Sequence, residues 1–132
     1  MEEGLPQELI LVVEDNDKNR KLVRDVLQFK GYQTIEATTA EKGIDLARVE
    51  KPSLILMDIQ LPEMDGLTAL ARLKAEPLTR DIPVIAITAS AMPQDLERIR
   101  QAGFDAYQTK PISVKEFIGL VEKMLDSGKG AL

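Results

Sequence analysis

Short apolar runs alternate with longer amphipathic stretches five times along this chain, and that rhythm limits its fold more than any other feature. Each run is too short for a helix, and each amphipathic stretch is long enough to carry the chain back to the start of the next run. The pattern therefore predicts repeated βαβ units and a parallel sheet. The first run, Leu9-Ile10-Leu11-Val12-Val13, is continuous rather than alternating, as a strand covered on both faces requires. After Asp15-Asn16-Asp17, residues Leu22, Val23, Val26 and Leu27 fall at helical spacing, and Gly31 is placed to end that helix. A second strand is expected over 34–37. Thr38-Thr39-Ala40-Glu41 then reads as a capping box opening a helix that runs to about Val49, with Pro52 closing the unit.

The third strand, Leu54-Ile55-Leu56-Met57, ends at Asp58 and leads into a loop over 59–66 that holds Pro62 and Gly66. A third helix is expected over about 67–75, and a fourth strand over 84–88 after Pro83. Pro93 suits the first turn of a fourth helix that Gly103 ends. A fifth strand, about 106–109, gives way to Lys110-Pro111. Ser113-Val114-Lys115-Glu116 is a second capping box, for a helix whose inner face is Phe117, Leu120, Val121 and Met124. The expected domain covers 8–126, between short tails at 1–7 and 127–132, which leaves no room for an effector domain. The fold class is α/β: a doubly wound, flavodoxin-like (βα)5 sheet in the order 2-1-3-4-5.

A chain of 132 residues with 44% hydrophobic and 30% charged residues suits one soluble domain with an aliphatic core. Its apolar runs fall far short of the roughly 20 residues of a membrane span. The acidic start Met1-Glu2-Glu3-Gly4 is unlike a signal peptide, so a cytoplasmic address is expected. The chain has no Cys and no His. That excludes disulfides, thiol nucleophiles, Ser-His-Asp triads, imidazole zinc sites and a phosphohistidine on this chain. A net charge of −5 argues against nucleic-acid binding, which draws on clustered Lys and Arg.

In a 2-1-3-4-5 sheet the ligand crevice lies between the first and third strands. Glu14-Asp15 and Asp58 directly follow those strands, while Thr88 and Lys110 close the fourth and fifth on the same edge. Singly, each acid reads as a solvated turn or a helix cap, and Lys110 as half of a surface ion pair. Together they read differently. Two carboxylates about 5 Å apart repel by roughly 3 kcal/mol at an effective dielectric of about 20, so a cation is expected among them. With oxygen donors only, Mg²⁺ or Mn²⁺ fits better than zinc. Asp58 is the best-placed nucleophile for an acyl phosphate, with Lys110 and the Thr88 hydroxyl positioned for the phosphoryl oxygens. Pro111 allows a cis peptide that turns Lys110 inward.

These residues resemble the receiver domain of bacterial response regulators over about 9–125. The resemblance rests on Val12-Val13-Glu14-Asp15, Met57-Asp58 with Pro62 and Asp65-Gly66, Thr88-Ala89 and Lys110-Pro111, in order and at receiver-like spacing. It implies that Asp58 takes phosphate from a histidine of a sensor kinase or phosphotransfer protein. It further implies that Asp15, Asp58 and the Gln60 carbonyl hold Mg²⁺, with Glu14 acting on the ion through water. Thr88 would then move toward the phosphoryl group and Tyr107 turn inward, reshaping the surface of the fourth helix, fifth strand and fifth helix for a downstream partner. Ala89 leaves room for the incoming group, and Gln60 and Ser90 tune its loss. From strand pattern alone, Tyr107 reads as a half-buried aromatic.

The expected function is thus a single-domain response regulator, a monomer or weak dimer, that is a phosphoacceptor with slow self-hydrolysis rather than an enzyme. The alternatives are a receiver segment of a hybrid histidine kinase and a receiver-like interaction module that works without phosphate. An FMN carrier fits poorly, because the acidic pocket repels a flavin phosphate. An aspartate-dependent phosphatase also fits poorly, since Gln60 stands where its second aspartate would be.

Overall fold

The structure is a computed structural model that describes residues 8–127. Five strands, β1 (Leu9–Val13), β2 (Gln33–Ala37), β3 (Leu54–Asp58), β4 (Val84–Thr88) and β5 (Ala106–Thr109), alternate with five helices. The helices are α1 (Asp17–Phe29), α2 (Ala40–Glu50), α3 (Gly66–Ala75), α4 (Pro93–Ala102) and α5 (Val114–Ser127). All strand pairs are parallel, as the alternation predicts, and the order is β2-β1-β3-β4-β5, the one expected of a doubly wound (βα)5 sheet. Its two central partners, β1 and β3, are in register from Ile10 opposite Leu54 to Val13 opposite Met57. The chain therefore leaves both strands at the same level, and the residues that follow them meet.

Side chains of a strand point alternately to its two faces, and each face of this sheet has its own apolar layer. Leu11, Val13, Ile55, Met57, Val84 and Ala86 pack under α2, α3 and α4 with Ile44, Leu70, Leu73 and Ile99. Ile10, Val12, Leu54, Leu56, Ile85 and Ile87 pack under α1 and α5 with Val23, Leu27, Phe117, Val121 and Met124. Of the residues expected on the inner face of α5, Leu120 is only partly buried.

The ends of the elements follow local chemistry, with small departures from expectation. The Asn16 side chain caps α1 by accepting from Asn19 N at 2.9 Å. The cap of α2 is Thr39, which accepts from Lys42 N at 3.2 Å, so the expected box from Thr38 to Glu41 does not form. The second of two adjacent threonines takes the role because the strand ladder continues through Ala37, and Thr39 is the residue with extended backbone before the first turn. Asp65 caps α3, which starts at Gly66 rather than Leu67. Gly103 ends α4 with φ +106°, a left-handed conformation that glycine adopts without strain. Helix α5 includes Ser127, one residue beyond the expected domain boundary, and the tails at 1–7 and 128–132 lie outside the described residues.

Candidate functional site

The carboxyl ends of β1 and β3 bring Glu14, Asp15 and Asp58 together. One oxygen from each lies within 4.8 Å of the others. Glu14 and Asp58 are each only 4% exposed, while Asp15 faces solvent. Both oxygens of Asp58 are engaged. Oδ1 accepts from the Gln60 backbone N–H at 2.8 Å, and Oδ2 accepts from Lys110 Nζ at 2.8 Å. Lys110 also lies 3.4 Å from Glu14 Oε1. It enters from the end of β5, whose last residue is Thr109, and the Lys110–Pro111 bond is cis.

This crowding shifts protonation. Burial, followed by a shared hydrogen bond with Asp58 and that residue's charge, pushes Glu14 up to about 7. Burial alone would lower Lys110, but its hydrogen bond to Asp58 and the charges of Asp58 and Glu14 prevail and raise it. A lysine, however, supplies one positive charge to three carboxylates. Oxygen donors without imidazole or thiolate suit a hard divalent ion, and the spacing of these oxygens fits one.

The structure places the remaining predicted residues around this cluster. Gln60 is exposed just beyond Asp58. Thr88 ends β4, 6% exposed, and its hydroxyl accepts from Ser90 N at 3.1 Å. Ala89 is exposed, and Ser90 Oγ donates to Asp95 Oδ2 in the first turn of α4. These residues line a cleft of about 270 Å³ between Gln60, Thr88, Ser90, Asp95 and Ile99. Tyr107 is half-buried on β5 against the layer that contains Ala86, Ile99 and Phe104.

The roles of three contributors depend on contacts that the sequence does not expose. A Cβ on Gly66 would lie 2.7 Å from the Asp58 carbonyl oxygen and 2.9 Å from Ile59 Cα, so glycine is what lets α3 begin against the end of β3. The Asp65-Gly66 pair was legible as a motif, but this close approach was not. No sequence motif marks Asp95, because its tie to Ser90 spans a turn that a sequence does not draw. Arg20 donates from Nη1 to the Glu14 carbonyl at 3.0 Å, and its Nε meets a carboxylate sixteen residues away, a separation no local pattern exposes.

Three carboxylates that meet at the carboxyl edge of a 2-1-3-4-5 sheet, with Lys110 on the buried Asp58, match the arrangement the receiver resemblance implies. The family profile described as response regulator receiver domain matches residues 10–122, and the chain belongs to that family. It is 51% identical over 116 residues to the polar-differentiation response regulator DivK of Brucella anthropi, which spans 88% of this chain and 94% of the relative. The DivK of Brucella ovis matches equally, at 51% over the same share of each chain. Among solved structures, the receiver domain of a Pseudomonas aeruginosa sensor histidine kinase, with a magnesium ion in its active-site cleft, superposes with a TM-score of 0.85. It is 30% identical and covers 92% of this chain and 99% of its own. The receiver domain of a Syntrophus aciditrophicus signal transduction histidine kinase has a TM-score of 0.84 at 32% identity and covers 91% of both chains. No helix among the described residues is long and apolar enough to cross a membrane.

Proposed function

We propose that this chain is a single-domain response regulator whose Asp58 accepts a phosphoryl group from a histidine of a sensor kinase or phosphotransfer protein. One observation carries the reading: Asp58 is buried, held by Gln60 N and Lys110 Nζ, and set in a cluster of three carboxylates. An Asp58 oxygen attacks phosphorus in line; the new P–O bond forms as the P–N bond breaks, and the electron pair leaves with the donor imidazole. Asp15, Asp58 and the Gln60 carbonyl would hold Mg²⁺, or Mn²⁺, which when bound supplies positive charge for the phosphoryl oxygens. Glu14 supports that site from its buried position. Lys110, already within reach of Asp58, follows the charge onto a phosphoryl oxygen.

Thr88 is the movable part. Its hydroxyl leaves Ser90 N to donate to the phosphoryl group, and Tyr107 turns inward behind it. The face formed by α4, β5 and α5 then changes for a downstream protein partner, a shift between two populations of one fold. Ala89 leaves space for the group, and Gln60 and Ser90 set how fast water removes it. The protein works in the cytoplasm as a monomer or weak dimer, without nucleic acid or membrane. Identity to DivK over nearly the whole of that relative supports the single-domain reading. The kinase receivers at 30% and 32% identity support a second one, a receiver segment of a hybrid kinase, which the full reading frame would reveal.

Acetyl phosphate with Mg²⁺ is expected to label the protein with one acid-labile phosphoryl group, and Asp58→Asn to abolish the label. Labelling that persists in Asp58→Asn contradicts the proposal. Wild-type protein that binds a partner but takes no label would favour the phosphate-independent module.

A further inference from the structure

Arg20 lies beneath the acidic turn rather than in it. Its side chain is 17% exposed, and every edge of its guanidinium has a partner. Nη1 donates to the Glu14 carbonyl at 3.0 Å and reaches the Asp15 carbonyl at 3.5 Å. Nε donates to Glu36 Oε1 at 3.1 Å, and Nη2 donates to Asp17 Oδ1 at 2.7 Å. Glu36 is held in turn by Arg24 Nη1 at 3.3 Å. Glu36 belongs to β2, opposite Val12 of β1, so this network ties the turn after β1 to the body of the sheet.

We infer that Arg20 is a positioning residue for the metal site: its guanidinium fixes the backbone of Glu14 and Asp15 so that their carboxylates face Asp58. The inference rests on the reading of that cluster as a divalent-cation site. A planar fork with several donors can hold two carbonyls and two carboxylates at once, which a lysine ammonium on a flexible stem does not do. Groups behind metal ligands commonly govern affinity by fixing ligand orientation.

The sign of the effect separates positioning from charge. As a mere cation near the site, Arg20 would repel a divalent ion, so its removal would tighten binding. As a clamp, its removal lets the turn spread and weakens binding. Titration calorimetry of the full chain with Mg²⁺ alone, without a phosphoryl donor, distinguishes the two. Arg20→Met is expected to raise the Mg²⁺ Kd about tenfold. Arg20→Lys, which keeps the charge and loses the fork, is expected to raise it about fivefold. Far-ultraviolet circular dichroism checks that each variant is folded, and should Arg20→Met fail, Arg20→Lys, which leaves the charge unchanged, carries the test. Tighter or unchanged binding in the folded variants overturns the inference while leaving the metal site in place. A wild-type protein that takes up no Mg²⁺ removes the site reading and this inference with it.

Discussion

The middle of the sheet and its carboxyl-end rim are built on opposite principles. Along β1, β3 and β4 the interior positions are aliphatic and buried, and the two faces are sealed by separate helical layers. One residue further on, the same strands present Glu14, Asp58 and Thr88, which are buried as well. Burying aliphatic side chains stabilises the fold, whereas burying like charges opposes it. Glu14 registers that opposition, since burial and Asp58 push it up to about 7. The interior thus supplies the free energy that keeps three carboxylates of the rim within reach of one another, at a spacing that a divalent cation fits.

Truncation in the interior should give the largest loss. Phe117 is fully buried beneath the β1, β3 and β4 side chains of its layer. Phe117→Ala is expected to lose about 3–5 kcal/mol in urea unfolding. Under conditions where it stays folded, acetyl phosphate should still label Asp58, because the cavity lies below the rim. A loss below about 1 kcal/mol would mean that the layer is not close-packed and would break the contrast.

A smaller effect is expected where the rim loses the ammonium that contacts its carboxylates. Lys110 lies 2.8 Å from Asp58 and 3.4 Å from Glu14. In a chelator, Lys110→Met should lose about 2 kcal/mol, below the range for removing one partner of a fully buried pair because Lys110 is partly exposed and Glu14 can take up a proton. Saturating Mg²⁺ should then stabilise the variant more than it stabilises the wild type, since no ammonium competes for the same oxygens. Equal stability of variant and wild type in chelator would show that the rim is not under electrostatic stress.

The two regions also differed in how legible they were. Continuous runs such as Leu54-Ile55-Leu56-Met57 report burial on both faces directly, so the strands and both helical layers followed from period and length, and the strand order from the common arrangement of five doubly wound βα units. The convergence of the site's side chains was legible too, because chain topology alone delivers Glu14, Asp15, Asp58 and Lys110 to one edge. What stayed hidden depends on distances between side chains far apart in sequence. Arg20 and Glu36 are both ordinary surface charges until β2 is laid beside β1. Glycine at 66 reads as a turn residue until α3 is seen to start against Asp58 O. Thr38 and Thr39 compete for one cap, and the choice depends on where the β2 ladder ends, which a pattern locates only to within a residue or two.

The smallest expected effect tests where the rim stops. Asp65 is an acid close in sequence to the site, yet the metal-competent cluster among the described residues comprises Glu14, Asp15 and Asp58 only. Its side chain instead accepts from Thr68 N at 2.8 Å as the cap of α3. If Asp65 is a cap alone, Asp65→Ala should lose about 1 kcal/mol, and Asp65→Asn, which keeps an acceptor oxygen, only a few tenths. If its charge belongs to the crowded rim, both substitutions should relieve repulsion, and Asp65→Asn should be more stable than the wild type in chelator. Urea unfolding of the three proteins with and without Mg²⁺ therefore locates the boundary. A cap gives the same difference in both conditions, because nothing about the Thr68 N–H depends on the ion, whereas a member of the rim gives a difference that Mg²⁺ changes.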